Sequence, residues 1–253
     1  SGALPNGQAV ALKTDGTVET ISGVSQSVTA ASTFSSTDAR AGVNSAVYDT
    51  ASNRVVIAYR DQGNGSYGTA VVGSVSGSSI TFGSPVVFNS GVTYSVTAAY
   101  DSSSNKTVIA FQNQSNGNGI AYVGTVSGTS ISFGTSVTFN AGTSDVGICY
   151  DVASNKTVIS YRDTGNSNHG TALVGTVSGT SISFGSEVVF NAGDTDDTTL
   201  VYDSINQKSV IVYKDTANAS YGTAIVGTVS GTSISFGTEA VFNSTTTADP
   251  RPV

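Results

Sequence analysis

The chain has 253 residues, of which only 11% are charged, with ten Lys+Arg against seventeen Asp+Glu and a net charge of −7. That balance argues against a nucleic-acid surface or an anionic-membrane surface, both of which need clustered Lys and Arg. A single cysteine, Cys149, and a single histidine, His169, exclude an internal disulfide, a cysteine-based zinc site and a histidine-rich metal cluster. Cys149 lies in an apolar strand pattern and reads as a small buried hydrophobe.

In chain order, residues 8–34 read as the latter half of a degenerate repeat. Strands are predicted at 9–13 and 17–21 around Thr14-Asp15-Gly16, and at 28–34, where Phe34 takes the position of Phe88. Four fuller repeats follow, marked by Tyr48-Asp49, Tyr100-Asp101, Tyr150-Asp151 and Tyr202-Asp203 at spacings of 52, 50 and 52 residues. In the second repeat the predicted strands are 94–100, 106–111, 120–126 and 131–139, rich in Val, Ile, Tyr, Phe and Thr and separated by Ser, Asn, Gly and Asp. No segment carries an apolar period of 3.6 over a helical length, so almost no helix is expected.

A period of about 50 residues with four short strands is the signature of propeller blades. The expected fold is an all-β β-propeller of antiparallel four-stranded blades. Residues 1–42 form an N-terminal half-blade and linker, 43–92, 93–143, 144–193 and 194–243 are blades, and 244–253 are a C-terminal strand or tail. Residues 248–253 close a five-bladed ring in one reading. In others the array is open or truncated, is completed by another polypeptide, or stacks as a linear solenoid. The absence of methionine and of a signal-like start predicts a trimmed initiator and assembly in a host cytosol.

The nearly identical runs at 124–134, 175–185 and 227–237 predict a Ser-Gly hairpin followed by a core aromatic, so Phe82, Phe133, Phe184 and Phe236 are expected in the core. Each Tyr-Asp aspartate precedes a turn, where it is expected to accept backbone amides; the competing reading is a ring of carboxylates around an ion-filled channel. Asp194, Asp196 and Asp197 are the one acidic cluster, lacking the Gly and distal Glu of a calcium loop. No nucleophile elbow or phosphate-binding loop occurs, and a serine triad would have to centre on His169.

The loop between the second and third strands is the recurring surface with ligand chemistry. It carries Arg60, Asp61, Asn64 and Tyr67 in the first blade, Arg162, Asp163, Asn166 and His169 in the third, and Lys214, Asp215, Asn218 and Tyr221 in the fourth. Planar hydrogen-bonders beside a ring face suit a sugar, and several weak copies suit avidity. The competing reading makes Arg-Asp a surface ion pair and Asn-Gly a turn.

The runs at 67–73 and 106–110, the Val-Ser-Gly-Thr-Ser-Ile-Ser-Phe-Gly phrase and the opening at 4–19 resemble a repeat of tail-fibre-like and virion structural propeller proteins of marine and cyanobacterial phages, found also in some bacterial surface proteins. The likeness covers about residues 4–243. It implies a non-enzymatic structural or adhesion protein of a virion, with neither catalytic residues nor a cofactor. Its expected partners are other virion or fibre subunits, in a homo-oligomer, and a cell-surface glycan, without membrane insertion. The alternative is an extracellular bacterial surface lectin or adhesin that self-assembles through its incomplete blade.

Overall fold

A computed structural model describes residues 10–14, 18–20, 32–35 and 39–247 of the chain. Two compact units are present, Ser1–Ser32 and Thr33–Val253. In the first, β1 (Val10–Leu12) and β2 (Val18–Thr20) pair antiparallel, as the pattern on either side of Thr14 predicts. Of the strand predicted at 28–34 only 32–34 are described, and they lie outside any sheet.

The second unit is all-β, built from two antiparallel sheets of nine strands each. The first sheet contains β3 (Ala39–Asp49), β4 (Arg54–Asp61), β5 (Tyr67–Ser76), β6 (Ser79–Phe82), β7 (Val86–Asp101), β8 (Lys106–Asn113), β9 (Asn118–Ser127), β10 (Ser130–Phe133) and β11 (Val137–Asn140). The second contains β12 (Thr143–Asp151), β13 (Lys156–Asp163), β14 (His169–Ser178), β15 (Ser181–Phe184), β16 (Val188–Asp203), β17 (Lys208–Asp215), β18 (Tyr221–Ser230), β19 (Ser233–Phe236) and β20 (Ala240–Thr246). Among the described residues the one helical element is a 3-10 turn at Gln62–Asn64, and no helix is long and apolar enough to cross a membrane.

Each nine-stranded sheet is two repeats joined by one long strand. The first part of β7 pairs with β5 of repeat 1 and its second part with β8 of repeat 2; β16 links repeats 3 and 4 in the same way. Between repeats 2 and 3 the strand breaks at 141–142, which separates the sheets. Bulges fall at the crossover points, between Tyr94 and Thr97, Ser144 and Gly147, and Asp196 and Thr199. Ser95, Asp145 and Asp197 there adopt left-handed φ values of 48°, 49° and 49°, re-aiming the chain from one repeat into the next.

The predicted fourth strand is two strands rather than one. In repeat 2, β10 and β11 both pair with β9 and are separated by residues 134–136. The Ser-Gly hairpins form as expected, with Gly77, Gly128, Gly179 and Gly231 at φ between 58° and 62°. Phe82, Phe133, Phe184 and Phe236 are half-buried against the cores, whereas Phe88, Phe139 and Phe190 are buried within them.

Each repeat has two apolar faces, because its strands alternate between a front and a back set of side chains. The back of repeat 1 (Val56, Val72, Phe88) packs on the front of repeat 2 (Ile109, Phe111, Ile131). The same seam recurs between repeats 2 and 3, and between 3 and 4, where Cys149 is 7% exposed in the core and burial pushes its thiol up to about 12. That is the inert small hydrophobe expected from the sequence.

The Tyr-Asp pairs stitch the other edge. Asp49, Asp101, Asp151 and Asp203 accept amides of their own turns, such as Ser103 N and Ser104 N on Asp101 Oδ1 at 2.9 and 3.1 Å. The tyrosine hydroxyl of the following repeat then accepts a turn amide: Tyr100 from Ala51 N, Tyr150 from Ser103 N and Tyr202 from Ala153 N, at 3.2, 3.3 and 3.2 Å. The aspartates serve turns, the first of the two readings.

Among the described residues β3 pairs with β4 and β20 with β18, and no pairing joins them to close a ring. Residues 248–253, the expected closing strand, lie outside the described residues.

The seams depend on a glycine. A Cβ on Gly83, Gly134 or Gly185 would stand 1.8, 1.9 or 1.8 Å from the carbonyl oxygen of Thr129, Thr180 or Thr232 in the next repeat. On Gly237 it would meet only Val226 O, at 3.8 Å. Gly134→Ala is therefore expected to destabilise by about 2–3 kcal/mol through overpacking, while Gly237→Ala leaves monomer stability unchanged. Urea melts of the two variants check this; equal destabilisation refutes the seam.

Candidate functional site

The nominated loops lie along one edge of the array, at the ends of β4, β13 and β17, opposite the Tyr-Asp turns. Strand alternation sends neighbouring side chains to opposite faces, and this separates the Arg/Lys from the Asp that follows it. The two do not form one pincer.

Arg60 and Arg162 turn toward the seams, whereas Lys214 pairs within its own repeat. Arg60 is 7% exposed, stands 4.2 Å over the Tyr94 ring of repeat 2 and donates to Ser66 Oγ at 2.9 Å. Arg162 bridges to Asp194 and Asp196 of repeat 4 at 2.8 and 3.3 Å. Lys214 binds Asp196 and Asp197 at 2.7 and 3.5 Å, and the Asp196 hydrogen bond is the chief cause that holds its ammonium above the usual range.

The aspartates turn inward. Asp61, Asp163 and Asp215 are 7%, 5% and 5% exposed. Asp163 Oδ1 accepts Gly165 N at 3.0 Å; Asp215 Oδ1 accepts Asn218 N and Asn191 Nδ2 at 3.2 and 3.3 Å. Asp163 and Asp215 are turn-shaping groups.

Six nominated residues remain at the loop surface. Asn64, Asn166 and Asn218 are exposed, and Tyr67, His169 and Tyr221 are half-buried. In repeats 3 and 4 the amide of the ring residue donates to the carbonyl of the asparagine three positions earlier, at 3.0 Å for both His169 to Asn166 and Tyr221 to Asn218. These two loops thus offer an exposed amide beside a ring on a hydrogen-bonded turn.

Sequence reading missed the asparagine of each Phe-Asn pair. Asn89, Asn191 and Asn243 donate to Thr93, Thr195 and Thr247 four residues on, at 2.7, 3.0 and 2.9 Å, and Asn140 Oδ1 accepts from Thr143 Oγ1 at 3.0 Å. These clamps hold the crossover bend beneath the loops. The recurring Phe-Asn pair with Thr three or four residues later was the available signal.

The acidic cluster gains a member from the previous repeat. Carboxylate oxygens of Asp145, Asp196 and Asp197 lie within 4.8 Å of one another, with Arg162 and Lys214 ion-paired to two of the three. Burial, foremost, raises Asp145 to about 6; Asp196 and Asp197 push the same way, while the Ser144 hydroxyl and Arg162 oppose. A groove of about 280 Å3 between the turns of repeats 3 and 4 lies at the opposite edge and is lined by none of the nominated residues.

Because the folded chain favours protonated Asp145, this group's contribution to stability is fully present below pH 3.8 and is lost as pH rises through about 6. Asp145→Asn, which also tolerates the left-handed φ, is expected to stabilise by on the order of 1–2 kcal/mol at neutral pH. The gain disappears in acid. Melting temperatures of the variant and parent across pH check the crossing.

No protein-family model matches the chain, and neither does any curated protein.

Proposed function

We propose that this protein is a non-enzymatic structural and adhesion component of a phage virion, a tail fibre or surface decoration, whose repeats are propeller blades presenting one loop edge to a glycan or receptor. The observation that carries the reading is the alignment of equivalent loops along one edge, three of them with an exposed Asn and a half-buried Tyr or His. A ring face with an adjacent amide matches one face of a sugar and its hydroxyls. Copies held on a rigid array convert weak contacts into avidity.

The neighbouring charges support a scaffold role. Arg162 and Lys214 are bound to carboxylates of the inter-repeat cluster, and Cys149 is a buried thiol. A virion role follows from the sequence resemblance. The second reading, a bacterial surface lectin or adhesin that self-assembles, draws on the exposure of Phe242 and Val226 of repeat 4, at 56% and 43%.

Tyr67→Ala, His169→Ala and Tyr221→Ala combined should lower apparent affinity for host-cell glycans at least about tenfold, because multivalent attachment amplifies small losses per loop. The melting temperature should change little. Glycan-array binding and adsorption to host cells provide the readout, and a triple variant that binds as the parent does would sink the loop reading. Mass spectrometry of purified virions tests the location.

A further inference from the structure

Among the described residues, the back face that is covered three times within the chain is left exposed on repeat 4. Phe88, Phe139 and Phe190 are 6%, 9% and 5% exposed, whereas Phe242 is 56% exposed. Val72, Val123 and Val174 are fully buried, whereas Val226 is 43% exposed; Ala99 and Cys149 are each 7% exposed, whereas Val201 is 41% exposed. Gly237 retains the seam glycine although, among the described residues, no following repeat approaches it. Ile205, 89% exposed, stands in the turn where Ala51, Ser103 and Ala153 meet the next repeat's tyrosine. What fits such a face is known from three internal seams: the front of another repeat.

The other end of the array carries such a front, partly covered. Phe34 packs on Tyr59 and Phe82 with ring centroids 5.1 and 6.2 Å apart. Phe139 meets Tyr161 and Phe184 at 5.4 and 5.9 Å, and Phe190 meets Tyr213 and Phe236 at 5.1 and 5.7 Å. Phe34 therefore stands in for the phenylalanine of a preceding back face. The rest of that front is less covered: Tyr48 is 51% exposed, and Ile80 is half-buried where Ile131, Ile182 and Ile234 are each 3% exposed.

We propose that the back face of repeat 4 binds the front face of repeat 1 of a second copy, head to tail, with Phe242 of one copy taking the slot that Phe34 holds in the free chain. The contact is heterologous: the two surfaces differ, so each added copy leaves another bare back face. Phe34 competes for the slot and weakens association by the fraction of chains it caps. This inference does not rest on the loop reading, since the loop rings lie at the strand-end edge and not on the repeat 4 back face.

Sedimentation velocity of the full chain over a wide concentration range tests it. The parent should form reversible oligomers whose mass rises with concentration. Phe242→Asp and Gly237→Ala should remain monomeric with unchanged circular dichroism and melting, because neither side chain contributes to the monomer's seams. Phe34→Ser should act in the opposite direction, lowering the concentration for assembly by about tenfold. Phe34→Leu, which keeps an apolar cap without the ring, should shift it the same way to a smaller extent. A parent that stays monomeric at its highest soluble concentration overturns the proposal, as do oligomers that survive Phe242→Asp or association that Phe34→Leu weakens. The triple loop variant should assemble as the parent does, which separates failure here from failure of glycan binding.

Discussion

A β-sheet with apolar side chains on both faces cannot bury both by itself, and the architecture of this chain follows from that constraint. Three seams repeat one solution, a back face of Val, Ala or Cys, and Phe against a front face of Ile, Tyr or Phe, and Ile. The hydrophobic gain scales with the apolar area removed from water. It is available only if the sheets approach closely, and Gly83, Gly134 and Gly185 permit that approach against a carbonyl of the following repeat. Stability in such an array is a sum of repeats and nearest-neighbour seams.

Polar groups at the two edges make the seams specific. On one edge a tyrosine hydroxyl from each following repeat meets the turn that the preceding aspartate has shaped. On the other, Arg60 lies over Tyr94 and Arg162 reaches Asp194 and Asp196. These contacts are modest individually, with a neutral hydrogen bond contributing about 1 kcal/mol, but they set register where the apolar faces alone would slide. Using the cations and aspartates for this purpose leaves asparagine amides and rings as the chemistry at the loop tips.

Much of this was legible in one dimension. Repeat length, strand order, the Ser-Gly hairpins, the burial of Cys149 and the turn role of Asp49, Asp101, Asp151 and Asp203 all follow from local composition and period. The nominated loops were legible as a recurring set of residues but not as a geometry. Arg162 and Asp163 are adjacent in sequence, yet one reaches repeat 4 and the other its own turn. The Asn191–Thr195 clamp and the meeting of Asp145 with Asp196 and Asp197 were not anticipated. The first spans a bend whose dihedrals a strand pattern does not reveal, and the second joins residues about 50 positions apart.

By itself, then, the sequence determined an all-β chain of four homologous units with acidic, sparsely charged surfaces, because β-branched and aromatic strands between Gly, Ser, Asn and Asp turns admit little else. Tertiary structure alone decided which faces are covered. Phe190 and Phe242 occupy equivalent places in nearly identical repeats, yet one is 5% exposed and the other 56%. The difference lies not in the residue or its strand but in whether another repeat stands in front of it, and burial is a property of the neighbour as much as of the side chain.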